Sequence, residues 1–151
     1  MEWIDSLKGE IVGLDTAPLI YYIEEHPVYL ESVRYFFEAV DRGNFKVVTS
    51  TITLLEVLVQ PFRYNNITLA EDYRSILLNS ANVTTVGISE SVAEQAASLR
   101  AQHNIRTPDA IQLAAAIQED ATFFLTNDSG LPKLSSLSLL VLDDLIRTPS
   151  D

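Results

Sequence analysis

The sequence predicts an α/β fold, a three-layer α/β/α sandwich around a mostly parallel central sheet. Short runs rich in β-branched and aromatic residues alternate with longer runs whose apolar residues recur at helical spacing. Strands separated by helices need crossover connections, which make the strands parallel and cover both faces of the sheet. No repeat, low-complexity tract or linker interrupts the 151 residues. We therefore expect one domain over residues 1–151.

Five segments are predicted to be strands because they are short, apolar and rich in β-branched or aromatic residues. The first is apolar after its opening glutamate, as expected of a strand that is covered on both faces. The predicted strands are Glu10–Leu14, Phe45–Thr49, Val83–Val86, Thr122–Leu125 and Ser138–Leu142.

Six segments carry apolar residues at helical spacing together with signals for a helix start or end. Pro61 is expected to end the third helix. Ser91 and Glu94 have the spacing of a capping box, and Thr107 is expected to cap the last helix with Pro108 in its first position. The predicted helices are Thr16–Glu25, Val28–Asp41, Thr51–Gln60, Ile67–Leu78, a segment that begins near Ser91, and Thr107 to about Glu119.

The composition narrows the class of protein. Hydrophobic residues make up 47% of the chain and charged residues 21%, which excludes a disordered chain. The absence of cysteine excludes disulfides, a cysteine nucleophile and thiolate zinc sites. The opening MEWIDSLKGE is unlike a signal or transit peptide, and no apolar run reaches the roughly 18 residues of a membrane span. We expect a cytoplasmic protein with no membrane contact.

The charge bears on possible partners. The formal net charge is −11, and the ten lysines and arginines form no basic run. Such a surface is unsuited to general nucleic-acid binding, which is usually basic. A bound divalent cation can offset the local charge, so a nuclease with a narrow binding track is still compatible with this composition.

Two aspartates follow predicted strands. Asp15 comes directly after EIVGL, and Asp128 follows TFFLTN. Ligands of open α/β sheets bind outside the carboxyl ends of the strands, so both positions are candidates for a site. Each also has a purely structural interpretation: Asp15 can cap the helix that begins at Thr16, and Asp128 can be a turn residue in NDSG.

Two further acids stand out on helices. Glu56 is the only charge in TITLLEVLVQ, so we expect its carboxylate to be largely buried and to need a cation, a metal or a proton. A buried ion pair with an arginine is the alternative. Asp109 opens DAIQLAAAIQ, where a carboxylate also interacts favourably with the helix macrodipole.

Taken together, the four acids indicate one shared site, because a parallel sheet can bring strand ends and helix starts together at one edge. Four carboxylates at close range repel one another unless cations lie between them. Hard oxygen ligands without Cys or His suit Mg²⁺ or Mn²⁺. The sequence therefore predicts a divalent-metal site.

Four segments, LDTAPLIYYIEEHP (14–27), TITLLEVL (51–58), RTPDAIQLAAAI (106–117) and FFLTNDSGL (123–131), span nearly the whole chain. Their order, spacing and acids resemble the PIN domain, in particular the VapC-type ribonuclease toxins of toxin–antitoxin pairs. The resemblance implies a PIN-like fold and an Mg²⁺-dependent endoribonuclease, with Mn²⁺ as a possible substitute. It also implies RNA as substrate, a cognate antitoxin protein as partner, and a homodimer.

The resemblance also assigns residues. It implies that the catalytic and metal-binding acids are Asp15, Glu56, Asp109 and Asp128. Hydroxyl and amide positions near the site match Thr16, Thr126 and Asn127. This chain departs from many relatives after Asp128, where Ser129 and Gly130 stand in place of a second acid and an aromatic residue. A fifth acidic ligand is therefore not expected.

Other functions compete with this hypothesis. A PIN-like scaffold without activity that only binds a partner would need none of the four acids. A small-molecule phosphatase with Asp15 as nucleophile is a second alternative. Such enzymes carry a second acid two residues after the nucleophile, but this chain has Ala17 there. A nucleotide-binding loop is absent, and His26 and His103 are expected at helix ends rather than in catalysis.

An antitoxin helix could dock in an exposed apolar groove, whereas the same aromatic residues could equally belong to the core. The residues concerned are Tyr21, Tyr22, Tyr35, Phe36 and Phe37.

Overall fold

The central sheet has five strands, and every pairing between them is parallel. The structure, a computed structural model, describes residues 1–147. The strands are β1 (Ile11–Leu14), β2 (Lys46–Ser50), β3 (Val83–Val86), β4 (Phe123–Thr126) and β5 (Ser138–Val141). Their order in the sheet is β3-β2-β1-β4-β5. The predicted α/β/α sandwich with a parallel central sheet is confirmed.

Eight helices lie among the described residues. They are α1 (Glu2–Asp5), α2 (Thr16–Ile23), α3 (Leu30–Asp41), α4 (Thr51–Arg63), α5 (Ile67–Leu78), α6 (Glu90–Gln102), α7 (Thr107–Gln118) and α8 (Leu142–Arg147). In residues 1–147 no helix combines the length and apolar character needed to cross a lipid bilayer.

The order of the strands creates a crevice beside β1. The chain builds outward from β1 through β2 to β3, then returns to the other side of β1 for β4 and β5. β1 therefore lies between β2 and β4, where the direction of winding reverses. Crossover helices diverge at such a point, which leaves space at the carboxyl ends of the central strands.

Alternate residues of the strands face the two layers of helices. Val47 and Leu125 pack into one buried cluster with α2, α3 and α5, whereas Val48 and Phe124 pack into the other with α6 and α7. Gly13 of β1 is needed for the second contact, because a Cβ atom there would lie 2.7 Å from Ala116 Cβ and 2.6 Å from Phe124. The missing side chain lets α7 approach β1 closely.

Several predicted helix ends are wrong. α2 ends at Ile23 rather than at Glu25, and α3 begins at Leu30 rather than at Val28. α4 continues through Pro61 to Arg63 because Pro61 is buried by tertiary packing, which outweighs the lost backbone hydrogen bond. α6 is capped by Ser89, which accepts from Val92 N at 3.1 Å, so Ser91 and Glu94 form no capping box.

At the start of α7 the N-cap residue is Arg106, not Thr107, and Thr107 instead accepts a hydrogen bond from Arg100. The predicted fifth strand also ends one residue early, because α8 begins at Leu142. The helix α5 and the strand β3 have the bounds that the sequence predicts.

Candidate active site

The crevice at the carboxyl ends of β1 and β4 holds the four acids that the sequence singles out. Asp15 follows β1 and Asp128 lies just beyond β4, while Asp109 is in the first turn of α7 and Glu56 is in the middle of α4. All four line one open cleft of about 290 Å³, with Tyr21 and Arg106 at its edge. The fold therefore brings together side chains that are up to 113 positions apart in the sequence, from Asp15 to Asp128.

Asp15 is held on both carboxylate oxygens. It is the N-cap of α2, where Oδ1 accepts from Thr16 N at 2.8 Å, and Oδ2 accepts from Thr126 Oγ1 at 2.7 Å. Asp15 is therefore a helix cap, as its structural interpretation predicted, and it also lines the cleft. Both bonds fix the carboxylate at the centre of the sheet edge.

Burial raises the pKa of Asp15 above its usual value. The hydrogen bonds from Thr126 and Thr16 lower this pKa again, whereas the charges of Asp109 and Glu56 raise it further. The carboxylate therefore lies in a partly desolvated place beside two other negative charges. A cation bound there would relieve both effects.

Thr126 connects the two aspartates that follow strands. Its side chain is fully buried; it donates to Asp15 and accepts from Asp128 N at 3.0 Å. Asp128 itself is exposed and accepts from Gly130 N at 2.8 Å, which is the turn geometry that the sequence also allowed. One buried hydroxyl thus holds the ends of β1 and β4 together.

Asn127 lines the cleft together with the acids, and its side chain bonds to Tyr21 and to the backbone of Asp143. Its Nδ2 donates to the Tyr21 hydroxyl at 3.2 Å, and its Oδ1 accepts from Asp143 N at 2.9 Å. Tyr29 also donates to the carboxylate of Asp143. Asn127 therefore ties the cleft to the first turn of α8.

Glu56 is half-buried, so the expectation of a largely buried carboxylate is wrong. Its helix α4 leaves Leu55 60% and Val59 41% exposed, which apolar neighbours in sequence could not reveal. Glu56 Oε1 accepts from Thr16 Oγ1 at 2.8 Å. This hydroxyl, rather than an arginine, is the partner that the structure shows for Glu56.

Arg106 is the cation of the cleft. Its Nε lies 3.3 Å from Asp109 Oδ2, with the arginine side chain 77% and the aspartate side chain 14% exposed. Asp109 raises the pKa of Arg106, and Glu56 and Asp128 add smaller effects in the same direction. An exposed ion pair of this kind adds little to stability. Arg106 was not singled out by the sequence.

Whether the cleft suits a divalent cation depends on its donor atoms and on the present orientation of its side chains. The donors are carboxylate and hydroxyl oxygens without sulfur, which is the chemistry of a hard cation such as Mg²⁺. The side chains are nevertheless turned toward protein donors, and within residues 1–147 no three acidic or histidine side chains converge closely enough to hold an ion. The residues present therefore fit a divalent cation by the chemistry of their donor atoms.

A buried polar group below the cleft was missed by sequence reasoning. Gln112 of α7 is 3% exposed and donates to Thr16 Oγ1 at 3.3 Å. The signal was available, because Gln112 is the only polar residue between Asp109 and Gln118. The same argument that drew attention to Glu56, a polar residue in an apolar helix, applies to it.

Three solved structures with a similar fold are complexes or toxins of bacteria. VapBC2 of Rickettsia felis, bound to a DNA fragment from its promoter, has a TM-score of 0.67 and 20% identity, and the match covers 87% of this chain and 98% of that one. A toxin–antitoxin complex from Klebsiella pneumoniae has a TM-score of 0.63 and 22% identity over 85% and 95% of the two chains. VapC20 of Mycobacterium tuberculosis, a toxin that cleaves the sarcin–ricin loop, has a TM-score of 0.62 and 18% identity. The match covers 76% of this chain and 86% of that one.

At these identities the structural matches show the fold alone. No curated protein matches the chain significantly in sequence. The family model of the PIN domain, however, matches residues 12–137, which include the four acids, the strands β2 to β4 and the helices α2 to α7. The chain belongs to the PIN-domain family.

Proposed function

We propose that this protein is an Mg²⁺-dependent endoribonuclease and the toxin of a type II toxin–antitoxin pair. The observation that carries the proposal is the cleft at the switch point of the sheet, where the acids Asp15, Glu56, Asp109 and Asp128 line one space. Membership of the PIN-domain family and the description of VapC20 as a toxin that cleaves the sarcin–ricin loop support RNA as the substrate. We propose the cytoplasm as its location.

In this proposal Asp15 and Asp109 would hold Mg²⁺, or Mn²⁺ in its place, and Glu56 and Asp128 would assist them through water or by helping to hold a second ion. The ion, when bound, lowers the pKa of water and offsets negative charge on the phosphodiester. Hydrolysis by water leaves a 5′-phosphate and a 3′-hydroxyl.

The chain's own groups orient this chemistry. Thr16 N and Thr126 Oγ1 keep the Asp15 carboxylate facing the cleft, and Thr16 Oγ1 holds Glu56. Arg106 is exposed at the edge of the cleft, where its guanidinium can exchange Asp109 for a phosphate of the RNA. Because the net charge is −11, we expect few phosphate contacts and a shallow dependence of RNA affinity on salt.

The test is cleavage of cellular RNA by the purified protein with Mg²⁺, with excess EDTA, and after Asp15→Asn. Cleavage is expected only with the metal and the native aspartate. Asp72→Asn, the same change at an exposed site on α5, is the matched control and keeps full activity. Undiminished cleavage in EDTA or by Asp15→Asn excludes the metal mechanism.

The absence of a preformed cluster of three acids within the described residues favours one second candidate, a PIN-like scaffold that only binds a partner. In that case all four acids can be changed to amides without loss of function. Calorimetry with Mg²⁺ separates the two candidates, because the scaffold binds no ion in the cleft.

We also propose an antitoxin partner, since a similar structure is described as a toxin–antitoxin complex, and a homodimer, which only the resemblance to VapC-type toxins implies. Of the aromatic residues considered from the sequence, Phe36 and Phe37 are buried and Tyr22 stacks on Phe37, whereas Tyr35 is 47% exposed and Tyr21 lines the cleft. Exposed apolar surface of the kind that partners cover lies instead on α4, at Leu55 and Phe62.

Two measurements test these partners. Expression of the protein is expected to be toxic, and the product of a neighbouring gene is expected to relieve the toxicity and to copurify with it. Light scattering of the purified protein is expected to give twice the mass of the 16.8 kDa chain. A monodisperse monomer argues against the homodimer.

A further inference from the structure

A layer of buried polar side chains lies directly below the acidic cleft and has no part in the proposed function. Gln112 comes from α7, Thr53 from α4, and Thr49 and Ser50 from β2; each is at most 3% exposed. Every buried polar side-chain atom of the described residues has a hydrogen-bond partner. A complete network in an apolar core holds its members in one arrangement.

The amide of Gln112 is at the centre of this layer. Its Nε2 donates to Thr16 Oγ1 at 3.3 Å and to Thr53 Oγ1. Its Oε1 accepts from Ser50 Oγ at 3.0 Å. Both amide protons and the amide oxygen are thus used, so the orientation of the amide is determined by its neighbours.

The direction of the remaining bonds follows from the number of protons. Thr49 donates its single hydroxyl proton to the carbonyl of Leu14 at 2.9 Å, so in its 2.8 Å contact with Thr53 it accepts. Thr53 therefore donates toward Thr49 and accepts from Gln112. The layer is anchored at the last residue of β1.

The same count applies to Thr16. Its Oγ1 accepts from Gln112 Nε2 at 3.3 Å, and its own proton goes to Glu56 Oε1 at 2.8 Å, because a carboxylate oxygen can only accept. Gln112 thus donates to the same hydroxyl that donates to Glu56, and successive hydrogen bonds in such a chain strengthen one another.

We propose that Gln112 is a positioning residue of the cleft. Through Thr16 it keeps a hydroxyl proton pointed at Glu56 and so holds that carboxylate in the cleft that Asp15 and Asp109 also line. Its effect on catalysis rests on the proposed function, whereas the coupling of Gln112 to Glu56 through Thr16 does not.

The test replaces the amide with a side chain of similar length. Gln112→Met is expected to lower kcat for RNA cleavage and the affinity for Mg²⁺, measured by calorimetry, by roughly 10–100-fold, as for other groups that orient metal ligands. KM for RNA stays unchanged, because Gln112 is buried and cannot touch the substrate. Gln118→Met, an exposed change on the same helix, is the matched control and leaves all three values unchanged.

A merely structural role is distinguished by the Thr16→Val background. There the link to Glu56 is already broken, so Gln112→Met is expected to have no further effect on kcat or on Mg²⁺ affinity. An equal loss with and without the Thr16 hydroxyl overturns the proposal. If Gln112→Met does not fold, Gln112→Glu serves instead, because it keeps the shape and the Ser50 bond but draws the Thr16 proton to itself.

Stability provides a readout that needs no activity. In urea denaturation, Gln112→Met and Glu56→Gln are expected to be coupled, and the coupling is expected to vanish in Thr16→Val. Absence of coupling with Thr16 intact overturns the positioning role. If the wild-type protein neither cleaves RNA nor binds Mg²⁺, the proposed function fails, while this cycle still decides whether Gln112 positions Glu56.

Discussion

Asp15 and Asp128 both follow neighbouring parallel strands at the same edge of the sheet, yet their surroundings differ. Asp15 directly follows β1, between β2 and β4, and accepts bonds from Thr16 and Thr126 on its two oxygens. Asp128 lies two residues beyond β4, exposed, in a turn with Gly130. The comparison shows that a central position at the switch point, rather than the place after a strand, makes an aspartate desolvated and crowded by charge.

The largest expected effect is on activity. Asp15→Asn should reduce Mg²⁺-dependent RNA cleavage by at least roughly 100-fold, as when one member of a catalytic set is removed. Asp128→Asn should cost only about 10-fold, the range for a group that acts through an intermediate ligand. Initial rates at saturating RNA measure both. Equal losses would show that the two aspartates have equivalent roles and that burial is irrelevant to them.

A smaller effect on stability distinguishes the two strand ends. Gly13→Ala places a Cβ 2.6 Å from Phe124, between β1 and α7, and should lower the free energy of unfolding by about 1–3 kcal/mol. In Gly130→Ala the new Cβ lies 3.1 Å from Asp128 Oδ1, in an exposed turn. This variant should change the free energy of unfolding by less than about 0.5 kcal/mol. Urea denaturation is the measurement. A tolerated Gly13→Ala would mean that α7 can move away from β1.

The smallest effect is the pH dependence of stability in the absence of metal. Because the pKa of Asp15 is raised, the folded state binds its proton more tightly than the unfolded state. The stability from this group is complete below the usual value of 3.8 and is lost as pH rises through the raised value. As pH rises from 3.8 through the raised pKa, the wild type should therefore lose stability that Asp15→Asn does not lose. The melting temperature of the variant should rise relative to that of the wild type over this pH range.

Mg²⁺ provides the control for the pH experiment. If the ion binds beside Asp15, its addition should reduce the difference between wild type and Asp15→Asn, because it stabilises the ionised carboxylate. A difference in melting temperature that is independent of both pH and Mg²⁺ would contradict the desolvation of Asp15.

The elements of the fold were largely predictable because their signals are local. α5 and β3 have the predicted bounds, and the other four predicted strands begin within one residue of the predicted position. The exceptions are places where packing outweighs a local rule. Pro61 was expected to end α4, but its buried place keeps it inside the helix. The short helices α1 and α8 were missed because each is too short to show a period.

The candidate acids were also predictable, whereas their surroundings were not. Glu56 stood out as the one charge in an apolar helix. Its actual burial, however, depended on which face of α4 packs against the rest of the fold, and Leu55 beside it remained exposed. Gln112 carried the same signal and was missed, because its partners come from three other segments of the chain.

The amino-acid sequence by itself determined the alternation of strands and helices, and it placed an acid after β1, within α4, at the start of α7 and after β4. These features depend on neighbours in the chain, through periodicity, capping and turn preferences. Only the tertiary structure decided that Asp15 is desolvated while Asp128 is exposed, and that Gln112 reaches Thr16. Burial and hydrogen-bond direction depend on atoms brought together from distant segments, which no local pattern encodes.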